Sequence, residues 1–371
     1  MLEPFFSKTY TFSQRLYAAL ARPVIHRWKP YSRLFLVSDS SAWVLSREIR
    51  EVAKIANQLG IHVAHRRWLK QVRNQTVFYT NRFKLLSDSW GQLPHRIAQA
   101  YFHGRPGTPD IPEFDQCYQK LCQHHDRIHR IQVSHSEMRD IVLSSGIAPE
   151  KVFLIPIGIN LSYFRMQTPE SRKKTRLKYG IPESAVVIGS FQKDGVGWDE
   201  GLEPKLIKGP DVFLKTIEIL RPRIPELFVL LSGPARGYVK CGLERLGVPY
   251  RHYFLKHYPE VGELFQALDA YIVSSRQEGG PKAILESMAS GVPLVTTRVG
   301  QAMDLVVHHQ NGWMVDVEDA EGLAYWAAYA ITHRSSLEHV LHQGRETAEA
   351  NSYKSQMPLW RNFMKEFVEF R

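Results

Sequence analysis

The sequence predicts an α/β protein made of two doubly wound parallel-sheet domains. Three observations carry this prediction. Short β-branched or aromatic runs alternate with helical stretches from Leu34 to about Phe153, and the same alternation restarts at Ala185. Between them lies a stretch broken by Pro156 and Gly158 and followed by a charged helix. Strands that alternate with helices argue a parallel sheet. Two such units of similar size, without tandem repetition, suggest two Rossmann-like domains facing a central cleft. A chain of 371 residues is long enough for each to bury its own core.

In chain order, residues 1 to 30 mix Phe5, Phe6, Tyr10, Phe12 and Leu16 with Lys8, Arg15, Arg22, Arg27 and Lys29, and a helix from about Ser13 to Ala21 fits them. That face either packs on the first domain or lies on an anionic membrane surface. Leu34 to Ser38 reads as a buried strand, Trp43 to Gln58 as a helix closed by Gly60, and Ile61 to Ala64 as a second strand. Val77 to Thr80, Ala98 to Phe102 and Ile128 to Val133 follow as strands, then a helix from Ser136 to Ser145 ends at Gly146. The interdomain linker is expected near Thr168-Pro169-Glu170, a capped helix start with a solvated basic face, Arg172 to Lys178. The second domain reads as strand Ala185–Gly189, helix Pro210–Leu220, strand Leu227–Leu231, helix Tyr238–Leu246, strand Tyr250–Leu255 and helix Val261–Leu268.

The next unit carries the chemistry. Ala270 to Val273 is a strand, Pro281 opens a helix, Gly291 supplies a left-handed C′ position, Pro293 bars continuation, and Leu294 to Thr297 is the next strand. The turn between the first strand and the helix holds Glu278, Gly279 and Gly280. Free N–H groups at such a helix start attract a phosphate, and glycines let it approach the backbone. Glu286, more than one turn into the helix, serves a ligand along its flank, accepting hydrogen bonds from paired hydroxyls such as a ribose presents. The competing reading of this spacing is two solvated glutamates on a surface helix.

Composition narrows the partners. The 48 Lys+Arg against 37 Asp+Glu give a net charge of +11, which favours an anionic partner: nucleic acid, anionic lipid or a phosphorylated sugar. The excess is not gathered in one arginine-rich arm, and no aromatic-interleaved platform accompanies it, which argues against nucleic acid. No apolar run reaches the length of a membrane span, and the opening Met-Leu-Glu-Pro-Phe-Phe-Ser-Lys lacks signal-peptide character. A cytoplasmic protein, with peripheral contact at the inner face of the membrane, is therefore expected. The three cysteines, Cys117, Cys122 and Cys241, suggest no disulfide framework. The spacing of Cys117, Cys122, His124 and His125 fits no common zinc pattern, so no metal site is expected.

The run Glu278-Gly-Gly-Pro-Lys-Ala-Ile-Leu-Glu286-Ser-Met-Ala-Ser-Gly291-Val-Pro-Leu-Val295 resembles the signature of retaining glycosyltransferases of family 4 (group 1), whose two glutamates stand in a loop and helix of this form. Val299-Gly300 and Asn311-Gly312-Trp-Met-Val315 continue the likeness, as does Lys151-Val-Phe-Leu-Ile-Pro-Ile-Gly-Ile-Asn160. Two departures stand out: Gln301 to Asp304 replaces a glycine-glutamate pair, and Ser38 to Ala42 stands where relatives carry a glycine-rich loop. The resemblance implies the GT-B architecture. Residues 1–165 would form an acceptor-binding Rossmann-like domain joined by a C-terminal helix within 354–371, and residues 180–350 a nucleotide-sugar-binding one. The tail's Trp360, Phe363, Phe367 and Phe370 share the helical face that would pack back.

The resemblance also implies roles. Glu286 would hold the ribose, with Gly189, Gly279, Gly280, Pro281 and Lys282 also on the donor side. Glu278 would touch the sugar, and Lys193 and Lys208, matched to an arginine and a lysine of the family, would stabilise the leaving diphosphate. A lysine does this as a point charge without a fork, and the competing reading of both is exposed loop lysines. His103, after a strand in Tyr101-Phe-His-Gly-Arg105, matches a first-domain histidine that reaches the reaction centre in some members; a structural histidine is the alternative. Arg105 is a weaker acceptor candidate. The implied reaction is metal-independent, retaining transfer from a UDP- or GDP-sugar to a glycan, lipid-linked or small-molecule hydroxyl, without cofactor. With no placed nucleophile, the resemblance implies front-face transfer. A GT-B sugar-nucleotide epimerase and a basic nucleic-acid-binding module are the alternatives.

Overall fold

The computed structural model describes residues 29–37, 44–65, 73–87, 90 and 95–370. The expected helix at Ser13–Ala21 and the Ser38–Ala42 loop lie outside these residues, and with them the first-domain membrane face. Among the described residues, no helix is long and apolar enough to cross a membrane.

The first unit runs β1 (Arg33–Val37), α1 (Val44–Gln58), β2 (His62–His65), β3 (Thr76–Tyr79), β4 (Arg96–Ala100), α2 (Pro112–His124), β5 (Ile128–Val133), α3 (Ser136–Leu143) and β6 (Val152–Leu154). Its strands pair in parallel in the order β2-β1-β3-β4-β5-β6. After α4 (Pro169–Lys178), the second unit runs β7 (Val186–Phe191), α5 (Pro210–Leu220), β8 (Leu227–Ser232), α6 (Gly237–Leu246), β9 (Tyr250–Tyr253), α7 (Pro259–Phe265), β10 (Ala270–Val273), α8 (Lys282–Ala289), β11 (Leu294–Thr297), α9 (Ala302–Leu305) and β12 (Trp313–Val315). These strands also pair in parallel, in the order β12-β11-β10-β7-β8-β9. Three more helices follow: α10 (Ala320–Thr332), α11 (Glu338–Ala350) and α12 (Met357–Met364).

Local chemistry explains the boundaries. β8 is buried throughout, as a strand covered on both faces must be. The Thr168 side chain accepts from the Ser171 N–H and the Ser171 hydroxyl accepts from the Thr168 N–H, a capping box that starts α4. Gly291 takes φ +65° after α8 and closes it. Pro281 is the N-cap of α8, which starts at Lys282, one residue later than the helix start read from the sequence.

The chain's end returns to the first sheet. Trp360 and Phe363 of α12, with Phe367, are buried in one core with Phe78 of β3 and Ile55 of α1. The Trp360 and Phe363 rings lie 6.3 and 5.5 Å from that of Phe78. The face expected from the spacing of Trp360, Phe363 and Phe367 is thus the one that packs.

Candidate active site

In each sheet the strand order reverses beside the first strand, and loops at the carboxyl ends of strands there form a crevice. In the second sheet the reversal lies between β7 and β10. It brings together the loop after β7, with Lys193, Lys205 and Lys208, and the loop after β10, with Glu278.

The Lys208 amine meets Glu278 Oε2 at 2.6 Å, and the Ser275 hydroxyl donates to Oε1 at 2.9 Å. The loop bearing Lys193 is held from below. Asp194 and Arg236, both buried, pair at 3.0 Å, and Arg236 Nη1 donates to the carbonyls of Ser190, Gln192 and Ser232. Lys193 donates to the Gly195 carbonyl at 3.1 Å and lies 4.9 Å from the centre of the Trp198 ring. Lys205 makes no ion pair among the described residues. Burial, then the neighbouring Lys208, pull the amines of Lys193 and Lys205 below the ordinary lysine value, and Lys193 further lowers that of Lys205. Three amines crowd here against one carboxylate, an arrangement that an anion relieves. Lys205 was not picked out from the sequence; its signal was the Lys205-Leu-Ile-Lys208 spacing, which puts the two residues on one face of a 3-10 turn.

His103 faces this cluster from the first unit. It is half-buried, with its ring edge-on to Phe114 at 5.6 Å. Burial, then Arg82, Lys208 and Lys205, push its pKa well below the ordinary histidine value. The ring is therefore neutral at physiological pH, suited to a hydrogen bond rather than to neutralising phosphate.

Glu286 is buried, 5% exposed, which excludes the solvated-helix reading for it. The Tyr258 hydroxyl donates to its Oε1, and the Arg47 guanidinium lies 4.4 Å from the Tyr258 ring centre. Burial raises the Glu286 pKa against the pull of that hydrogen bond and of Lys282 and Arg47. In this arrangement Tyr258 takes the position expected of a ribose hydroxyl. A hollow beside the pair is lined by Arg47, Arg50, Lys54, Asn160 and Lys256.

Six expected donor or acceptor positions make the following contacts. A Cβ at Gly279 would lie 2.7 Å from the Phe102 carbonyl oxygen, and one at Gly280 2.8 Å from Gln301 Oε1 and from Ile157 Cδ1. These glycines admit the first unit's backbone and the Gln301 side chain. The Ser134 hydroxyl seals the same contact, at 2.9 Å from the Gly279 carbonyl. Gly189 lies inside β7, where a Cβ would strike Leu268 at 2.4 Å; it packs the core. The Lys282 amine donates to Glu48 Oε2 at 3.1 Å and to the Tyr353 hydroxyl at 2.7 Å, pinning α8 to α1. Arg105 is exposed and paired with Glu137. Pro281 serves as the cap described above. The departures Gln301 and Asp304 also bridge the units: Gln301 Oε1 accepts from the Ile157 N–H at 3.0 Å, and Asp304 Oδ2 from the Ser136 N–H at 2.7 Å.

No three His, Cys, Asp or Glu side chains converge as a metal-holding group among the described residues. Cys117 is buried with its thiol toward the Arg82 carbonyl, and the His124 ring lies tilted against Trp90, 5.2 Å between centres.

Residues 202–347 match the family model of glycosyl transferases group 1. D-inositol 3-phosphate glycosyltransferase of Corynebacterium urealyticum is 27% identical over 256 residues, 63% of this chain and 56% of that protein. The chain thus spans about half the length of the curated relatives it matches. Among solved structures, Anabaena HepE in complex with UDP superposes with a TM-score of 0.70 at 15% identity, covering 90% of this chain and all of that one. Sucrose-phosphate synthase from Thermosynechococcus elongatus gives 0.71 at 14% identity, covering 90% and 98%.

Proposed function

We propose that this chain, whose residues 202–347 match the group 1 glycosyl transferases and whose fold is the GT-B architecture, is a retaining glycosyltransferase, moving a sugar from a nucleotide-sugar donor to an acceptor hydroxyl. The observation that carries this reading is the reversal point between β7 and β10, where Lys193, Lys205, Lys208 and Glu278 meet opposite His103.

The donor diphosphate lies among the three amines. Lys208 is drawn from Glu278 toward the phosphate, which frees the carboxylate for the sugar hydroxyls. The ribose hydroxyls displace Tyr258 from Glu286, an exchange of like for like at a carboxylate already desolvated. The anomeric carbon–oxygen bond to the diphosphate breaks while a bond to the acceptor oxygen forms on the same face. The acceptor's proton passes to the departing phosphate oxygen, whose growing charge the lysines stabilise. Neutral His103 accepts or donates a hydrogen bond at a substrate hydroxyl. The curated relatives' named reaction and the UDP complex of HepE support a nucleotide-sugar donor.

The test is incubation of the full chain with a panel of UDP- and GDP-sugars, without acceptor. Slow release of nucleoside diphosphate from one member, abolished in Lys208→Met, is the expected result; a folded protein that cleaves none of them contradicts the reading.

A further inference from the structure

The first sheet has its own reversal point, between β1 and β3, and the loop leaving β3 carries Arg82. Arg82 is 4% exposed, and neither its Nε nor its Nη2 has a hydrogen-bond partner. Its guanidinium carbon lies 4.3 Å from the ring centre of Phe83 and 4.6 Å from that of Phe114. No carboxylate pairs with it among the described residues. A buried cation is ordinarily paired, because aromatic faces replace only part of the hydration it gives up.

Its surroundings point to the cleft. Gly104 follows His103 at φ +118°, and a Cβ there would come within 2.8 Å of Arg82 Nε. A side chain at Gly104 would close the approach to the guanidinium. Arg82 is also the foremost charged neighbour of His103, and its field reaches Lys205 across the cleft. The donor diphosphate already has three amines from the second unit, whereas Arg82 belongs to the opposite wall, where the acceptor enters.

We propose that Arg82 anchors an oxyanion, phosphate or carboxylate, carried by the acceptor. The word acceptor rests on the glycosyltransferase reading; the oxyanion site itself rests on Arg82, its orphaned nitrogens and Gly104. A guanidinium fork suits both anions, since each presents two oxygens to it.

Calorimetric titration of the full chain tests this, with inorganic phosphate and acetate as separate probes, in the absence and presence of saturating UDP. At least one probe is expected to bind the UDP-loaded protein. Arg82→Met, which keeps an apolar stem between the two rings, should weaken that binding roughly ten- to a hundredfold, the worth of a charge-assisted hydrogen bond, and leave UDP affinity unchanged. Gly104→Ala should weaken it too, although it retains the charge, and it carries the test if Arg82→Met fails to fold. Equal anion binding in parent and variants makes Arg82 a structural contact and overturns the proposal. An equal loss of UDP affinity in Arg82→Met overturns it as well, by assigning the residue to the donor. Absence of UDP binding with Arg82-dependent anion binding intact removes the glycosyltransferase reading and leaves the site.

Discussion

Glu278 and Glu286 stand in one short signature, yet their surroundings differ. Glu286 is buried against Tyr258, while Glu278 is shared between Lys208 and Ser275 at the cleft. Glu286→Gln should therefore weaken UDP and the intact donor alike, by roughly ten- to a hundredfold. Glu278→Gln should leave UDP affinity nearly unchanged and lower turnover, because its contact counts only with sugar present. Calorimetry with UDP beside donor kinetics checks both; unchanged UDP binding in a folded Glu286→Gln protein removes the ribose assignment. A second residue-scale prediction concerns pH. Burial lowers the His95 pKa from 6.5 to about 4, and its Nδ1 accepts from the Gln75 N–H. The folded protein holds this ring neutral while the unfolded chain takes up a proton. Stability should thus be flat in this residue above pH 6.5 and fall between 6.5 and about 4. Urea midpoints across that range should drop less in His95→Gln, whose amide oxygen can still accept; an identical drop contradicts the assignment. The signature residues were legible because their types and spacing are tied to one loop and helix. What approaches Gly279 and Gly280 was not, since a glycine records that something is close without recording what. Arg82 and Lys205 were also missed: each acts through neighbours brought in from another part of the chain.

Among the elements, the parallel strands were legible nearly to the residue, from β-branched runs and the glycine and proline punctuation around them. Ile128–Val133, Pro210–Leu220 and Ala270–Val273 coincide with the reading. Expected ends slipped where burial, not propensity, sets the limit: β4 is Arg96–Ala100 and not Ala98–Phe102, because Tyr101 to Gly104 turns away to meet the second unit. The return of the tail was legible from the spacing of its aromatics, and it makes α12 part of the first unit's core. Trp360 is fully buried there, so Trp360→Ala should cost about 3 to 5 kcal/mol. Urea unfolding measures this, and a loss below about 1 kcal/mol would show that α12 is peripheral.

At the scale of the molecule, the two units are joined by polar contacts that the sequence did not disclose, because each joins residues distant along the chain. Glu48 of α1, Lys282 of α8 and Tyr353 meet, with side chains of Lys282 and Glu48 only 11% and 7% exposed. Lys282→Met strands the Glu48 charge and should destabilise the chain by about 3 kcal/mol, whereas a loss of a donor contact would lower UDP affinity with stability unchanged. Urea melts beside UDP titration separate the two. The same contacts set the two walls of the cleft opposite each other, so transfer from a nucleotide sugar would need the whole chain. Its most direct test follows the anomeric protons by NMR while the full chain consumes its donor sugar nucleotide in excess chelator. The α-anomer of the sugar is expected to appear first from an α-linked donor, at a rate the chelator does not change. First appearance of the β-anomer, or turnover lost in chelator and restored by manganese, would contradict that expectation.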